Sequence, residues 1–177
     1  MVVVLVGASG TGKTSIARAM AEKDGWVHAI TTTTREPRKG EQDGVDYYFV
    51  SREEFEAKLV AGEFYEVTDY NGNLYGSPAL DVVGSGNSIL ILDLHGAQEY
   101  LNMLEEQVFV VGLTCDKEVR DTRIDSSRAK RSEPSKEELQ KVCDCILDTS
   151  NVSIEVLAER VFYYLNAKLL SKKLGSR

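Results

Sequence analysis

The chain has 177 residues, 42% of them hydrophobic and 28% charged, which suits one compact domain with a sizeable buried core. A formal net charge of −7 excludes a general nucleic-acid binder, which depends on clustered lysine and arginine to neutralise phosphates. Cys115, Cys143 and Cys145 show no C-x-x-C spacing, so neither a disulfide framework nor a zinc site is expected, and a reduced cytoplasm fits best.

The first element is the β-branched run Val2 to Val6, of the kind found in a strand buried on both faces of a parallel sheet. It is only five residues long after Met1 and leads straight into a polar loop, so neither a signal peptide nor a membrane span is expected. That loop, Gly7-Ala8-Ser9-Gly10-Thr11-Gly12-Lys13-Thr14, fits G-x-x-x-x-G-K-[ST] in full. Ile16, Ala17 and Met20 follow at helical spacing. The order strand, glycine-rich turn, helix lets backbone N–H groups curl around phosphates, with the positive end of the helix behind them. Lys13 would reach the terminal phosphates of a nucleotide, and Thr14 would offer its hydroxyl to Mg²⁺, which keeps few protein ligands in such sites.

The helix is expected to close near Asp24-Gly25, and Trp26 to Ile30 reads as a second short strand. Thr31 to Glu41 is a polar segment with arginines at 35 and 38 around Pro37. Asp46 to Val50 reads as an aromatic strand. Ser51-x-x-Glu54 is a capping box that opens a helix, with Phe55 and Leu59 expected on one face and Gly62 at its end. Phe64 to Tyr70 and Asn73 to Ser77 read as two strands joined by a tight Asn71-Gly72 turn. Arginine forks and tyrosine hydroxyls together suit a phosphate monoester.

Taken together, Gly7 to Thr14, Thr33 to Arg38, Gly40-Glu41, Gly44 to Ser51 and Gly72 to Ser77 resemble guanylate kinase, over roughly residues 1 to 96. The resemblance implies ATP-dependent phosphoryl transfer to GMP or dGMP. It also implies a single domain made of a phosphate-loop core (1–32, 79–115, 143–177), a nucleotide-binding lobe (33–78) and a lid (116–142). On this resemblance Arg35, Arg38, Tyr47 and Tyr75 would clasp the GMP phosphate, and Thr31, Glu66 and Ser77 would face the guanine. Other acceptor monophosphates, or a non-catalytic module of the same family that binds protein partners, are the alternatives.

Past Ser77-Pro78, expected to start a helix, Ile89 to Asp93 reads as a third parallel strand whose acidic end would lie near the phosphate loop. Asp93 is therefore a candidate for substrate or for the Mg²⁺ shell. Here the chain departs from the family, which usually shows D-x-D with the second aspartate facing GMP, whereas this chain has Asp93-Leu94-His95. Ala97 to Glu106 reads as an amphipathic helix and Val108 to Leu113 as a fourth strand. The charged run 116–141, with a second capping box at Ser135-Lys136-Glu137-Glu138, is expected to carry Arg123 and Arg131 as a lid pair acting on the transferring phosphoryl group. Cys145 to Ser150 reads as a fifth strand and turn, with Asp148 and Thr149 beside the adenine, and Ile154, Leu157, Val161 and Leu165 mark a terminal helix. The expected fold is α/β, a five-stranded, mostly parallel sheet flanked by helices, with a small α+β insertion and a helical lid.

Overall fold

The computed structural model describes residues 1–70, 72–79, 86–124 and 133–175. In chain order its elements begin β1 (Val2–Gly7), α1 (Lys13–Ala21), β2 (Trp26–His28), β3 (Thr32–Thr33), β4 (Tyr48–Phe49), α2 (Arg52–Val60), β5 (Phe64–Tyr70) and β6 (Asn73–Pro78). They continue with β7 (Asn87–Ile91), α3 (Leu94–Leu104), β8 (Val108–Thr114), α4 (Lys117–Asp121), α5 (Lys136–Val142), β9 (Cys145–Asp148) and α6 (Ile154–Gly175).

A strand of consecutive valines is stable only where both of its faces are covered, and β1 sits at the middle of a five-stranded sheet ordered β2-β7-β1-β8-β9. Every pairing in this sheet is parallel, as the alternation of strands and helices predicts. Val3 and Leu5 bury one face against Ile16 and Met20 of α1 and Leu157, Val161 and Leu165 of α6. Val2, Val4 and Val6 bury the other face against Ala97 and Tyr100 of α3 and Leu139 of α5. Parallel strands bring their carboxyl ends to one edge, and the loop after β1 therefore emerges beside the ends of β7 and β8.

The second sheet runs β4-β3-β6-β5. Its β3 lies inside the segment read from sequence as a polar loop: Thr33 is fully buried, and its hydroxyl donates to the Leu74 carbonyl at 2.8 Å. Threonine suits a pleated surface when a neighbouring strand takes up its hydroxyl, a condition invisible in the local pattern. The capping box forms as predicted, with Glu54 N–H donating to Ser51 Oγ at 3.1 Å and Ser51 N–H to Glu54 Oε2 at 2.8 Å. Phe55 is fully buried and stacks on Phe64 at 4.5 Å, but Leu59, expected beside it, is 46% exposed. The insertion is too thin to cover a second helical turn.

Three further boundaries differ from the sequence reading. Ser77 and Pro78 belong to β6, where Pro78 pairs with Phe64 at the end of the strand, a place where a missing N–H is tolerated. The turn residue Asn71 lies outside the described residues, and Gly72 has the positive φ of 76° that its part of the turn needs. Helix α3 begins at Leu94, because Asp93 caps it by accepting from Gly96 N–H at 2.8 Å; Asp93 thus lies beyond β7 instead of in it.

Phe55→Ala should cost about 3–5 kcal/mol, because it empties the one large buried site under the second sheet. Urea unfolding of the variant beside the parent measures this.

Candidate active site

The phosphate loop is shaped by its glycines. Gly7, Gly10 and Gly12 have φ of 149°, 82° and 87°, and a Cβ on Gly7 would stand 2.4 Å from the Leu113 carbonyl oxygen. Gly12 occupies the cap position of α1, and neither a capping side chain nor an acidic residue occupies the first turn, so its amides face an anion site. Lys13 Nζ donates to the carbonyls of Gly7 and Ala8, each at 2.7 Å, so the lysine is held across the mouth of the loop. Thr11 is buried, its hydroxyl donating to Ala8 at 2.9 Å, and braces the loop from within. Ser9 lines the cleft, and Thr14 follows Lys13 in the first turn of α1, half-buried.

A single cleft of about 420 Å³ joins this loop to the second sheet, lined by Gly7, Ala8, Ser9 and Lys13 on one side and by Thr31, Tyr47, Glu66 and Tyr75 on the other. At one corner Tyr47 and Tyr75 meet edge to face at 6.0 Å. The Arg35 guanidinium lies over Tyr47 at 5.4 Å and over Phe49 at 5.5 Å, an arrangement favoured by the ring quadrupole. Arg35 also donates to both oxygens of Glu41, at 2.9 and 3.1 Å, while its Nε is buried with no partner among the described residues. Glu41 accepts from Arg38 N–H at 2.8 Å and stands 3.7 Å from its guanidinium, so one carboxylate sets both arginines. Burial would raise the Glu41 carboxyl, but the Arg38 amide and the Arg35 fork outweigh it and hold the group below its ordinary range. Glu41 was missed as a site residue in the sequence; a carboxylate six positions after an arginine gives no local sign of pairing.

Glu66 forms the other corner. A β-bulge between Phe64 and Glu66 breaks the register of β5 against β6, so Phe64 packs under the sheet while Glu66 turns to the cleft. Thr68 donates to Glu66 Oε1, and the fully buried Ser77 hydroxyl lies 3.3 Å from Oε2. A Cβ on Gly96 would stand 3.2 Å from the same oxygen, which places the carboxylate against the first turn of α3. Burial raises the Glu66 carboxyl, the Thr68 hydroxyl draws it back, nearby Asp93 raises it again, and Ser77 and His95 lower it, with the net direction upward. Asp93 therefore shares this corner with Glu66, its Oδ1 committed to the helix cap. His95 lines the same corner with a largely exposed ring.

Outside this cleft, Arg123 donates to the carbonyls of Thr149 and Ser150 at 3.1 and 3.3 Å, which fastens it to the loop after β9. Thr149 is itself buried, its hydroxyl donating to Thr114 at 3.1 Å, and Asp148 accepts from Ser150 N–H at 2.9 Å. Arg123, Asp148 and Thr149 are thus brought together, away from the arginines of the second sheet. Arg131, expected to act with Arg123, lies outside the described residues.

A phosphate loop at the carboxyl edge of a parallel sheet, opening on a cleft lined by tyrosines and a half-buried carboxylate, is the arrangement of a P-loop nucleotide-binding fold. The family model described as guanylate kinase matches residues 1–161, and the chain belongs to that family. It is 40% identical over 116 residues to the guanylate kinase of Enterococcus faecalis, covering 62% of this chain and 57% of that protein. It is 31% identical over 173 residues to that of Halalkalibacterium halodurans, covering 91% and 85%. The chain thus spans little more than half the length of the Enterococcus relative. The crystal structure of guanylate kinase from Anaplasma phagocytophilum superposes with a TM-score of 0.71 at 29% identity, over 95% of this chain and 85% of that one. Shikimate kinase from Aquifex aeolicus, at TM-score 0.51 and 15% identity over 96% and 99%, shares the fold.

Because the Glu66 carboxyl is raised in the fold, its ionisation costs stability, a cost that grows as pH rises from the ordinary carboxylate range through the raised value. Glu66→Gln removes that slope and keeps acceptors and donors for Thr68 and Ser77. Without nucleotide, the variant should melt at or above the parent's Tm at neutral pH in calorimetry.

Proposed function

We propose that this chain transfers the terminal phosphoryl group of ATP to GMP or dGMP, giving ADP and GDP, in the cytoplasm. The observation that carries the reading is the single cleft in which Lys13 and the loop amides face Glu66, Tyr47 and Tyr75. Donor and acceptor phosphates held there would meet in line, and holding two reactants in that geometry removes much of the entropic barrier.

The proposed roles are those the family resemblance implies, and several have support in the geometry. Lys13 would exchange its carbonyl partners for the donor's terminal phosphates, gaining a charge-assisted bond in place of two neutral acceptors. Arg35, with its unpaired buried Nε, would bind the acceptor phosphate together with Arg38 and the Tyr47 and Tyr75 hydroxyls. Glu66 would accept from N1–H and N2–H of guanine, with Thr31 and Ser77 at its sides. Arg123 and Arg131, as a lid pair from the segment 116–142, would act on the transferring phosphoryl group, and Asp148 and Thr149 would lie beside the adenine of the donor. Mg²⁺, when bound, would neutralise charge on the donor phosphates; the Thr14 hydroxyl suits it as one of few protein ligands, and Asp93 is the acidic group for its shell or for the acceptor base. Among the described residues no helix is long and apolar enough to cross a membrane.

ADP formed with GMP, dGMP, AMP, CMP and UMP tests the reading. GMP and dGMP should be phosphorylated and AMP should not, because adenine turns an acceptor at N1 toward Glu66 and leaves the carboxylate without a partner, a mismatch worth up to ~10⁴-fold. Lys13→Ala should lower turnover at least ~100-fold without loss of folding. Arg38→Ala should raise the KM for GMP far more than that for ATP. AMP use comparable to GMP would refute the role of Glu66.

As pH falls through the raised value of Glu66, the carboxyl gains a proton and loses an acceptor, so GMP affinity should be complete above that value and fall below it. The loss should begin at higher pH than for an ordinary glutamate, and calorimetric titration of Glu66→Gln with GMP should lack this limb.

A further inference from the structure

Two arginines have a buried Nε without a partner among the described residues: Arg35, which the acceptor site uses, and Arg120, which no role above absorbs. Arg120 is 7% exposed, and a guanidinium that far from water needs a counter-charge. Glu133 supplies it through a close ion pair. The stem of Arg120 lies against the apex of the phosphate loop: a Cβ on Gly10 would fall 2.7 Å from Arg120 Cγ and 2.8 Å from Ile124 Cγ2. Glu133 in turn lines the cleft, next to Pro134 and on the same wall as Glu138. The cation behind the loop is thus neutralised by a carboxylate that itself lines the cleft.

We propose that Arg120 is a positioning residue for the donor phosphates. Its charge adds to the positive field of the loop, and Glu133 competes with the donor for that field. Burying an arginine against a loop that already holds a lysine has no value for packing alone, since an apolar side chain of similar volume would brace Gly10 without the desolvation cost. A nucleoside diphosphate or triphosphate brings negative charge to the other side of the same loop, and the guanidinium then has two anions to share.

The inference rests on the reading of the loop as the donor site, so its test uses ADP binding by calorimetry, which needs no turnover. A chain that binds ADP but fails to phosphorylate GMP would refute the proposed activity and leave this test intact. Arg120→Met, which keeps the stem, should weaken ADP binding roughly 10-fold. Glu133→Gln, which unmasks the cation, should tighten it, and GMP affinity should stay within about twofold of the parent in both. The opposite signs separate a field from a brace. Weaker ADP binding in both variants, or no change in either, overturns the proposal, as does a matching loss of GMP affinity. If Arg120→Met fails to fold, Glu133→Gln, at a partly exposed position, decides alone: tighter ADP binding supports the proposal, and weaker or unchanged binding overturns it.

Discussion

The proposed reaction would bring two phosphate anions together on a chain that itself carries a net charge of −7, and much of the architecture suits that constraint. Coulomb repulsion between the phosphates grows as water leaves the cleft, so the positive charge that offsets it has to be local and already in place. The parallel sheet supplies the first part. A fully buried β1 ends at Gly7, and the amides at the start of α1 point into the cleft with no side chain to cap them. The second sheet supplies the rest by stacking Arg35 over two aromatic rings, which orders the guanidinium before any ligand arrives.

Holding cations ready creates a second problem, because unpaired guanidinium groups near one another repel and lose their hydration. Glutamate solves it at the acceptor end. Glu41 accepts from the Arg35 guanidinium and the Arg38 amide, which hold its carboxyl low, so one carboxylate ties both arginines together beside Tyr47. Glu66 shows the opposite arrangement. It is buried among hydroxyls and the first turn of α3, with Asp93 nearby, and its carboxyl is pushed upward. One carboxylate stabilises its surroundings and the other is destabilised by them, which is the expected mark of a group kept for a ligand rather than for the fold.

Much of this was legible in the sequence. Gly7 to Thr14 could be read as a phosphate loop because its chemistry is local: glycines at fixed spacing, a lysine, a hydroxyl, and a strand and helix on either side. The five parallel strands and the capping boxes at Ser51 and Ser135 were equally local, set by apolar runs and by side chains that bond their own backbone. The readings that failed depended on something distant. Ser77-Pro78 looks like a helix start until β5 pairs with both residues, the body of that expected helix lying outside the described residues, and the β3 threonines read only as part of a polar segment until β6 takes up the Thr33 hydroxyl.

The primary sequence by itself determined the order of the strands' contents and the place of the glycine-rich loop between β1 and α1, because each of these is written within one turn of helix or one short strand. Only the tertiary structure decided which charges meet. The bulge that turns Glu66 toward the cleft, the carboxylate of Glu41 shared between two arginines, and the pairing of Arg120 with Glu133 behind Gly10 join residues that are separated along the chain. Side-chain periodicity reports which face of an element is buried, but electrostatic pairing depends on distance in space and on the loss of water around it, and both exist only once the chain has folded.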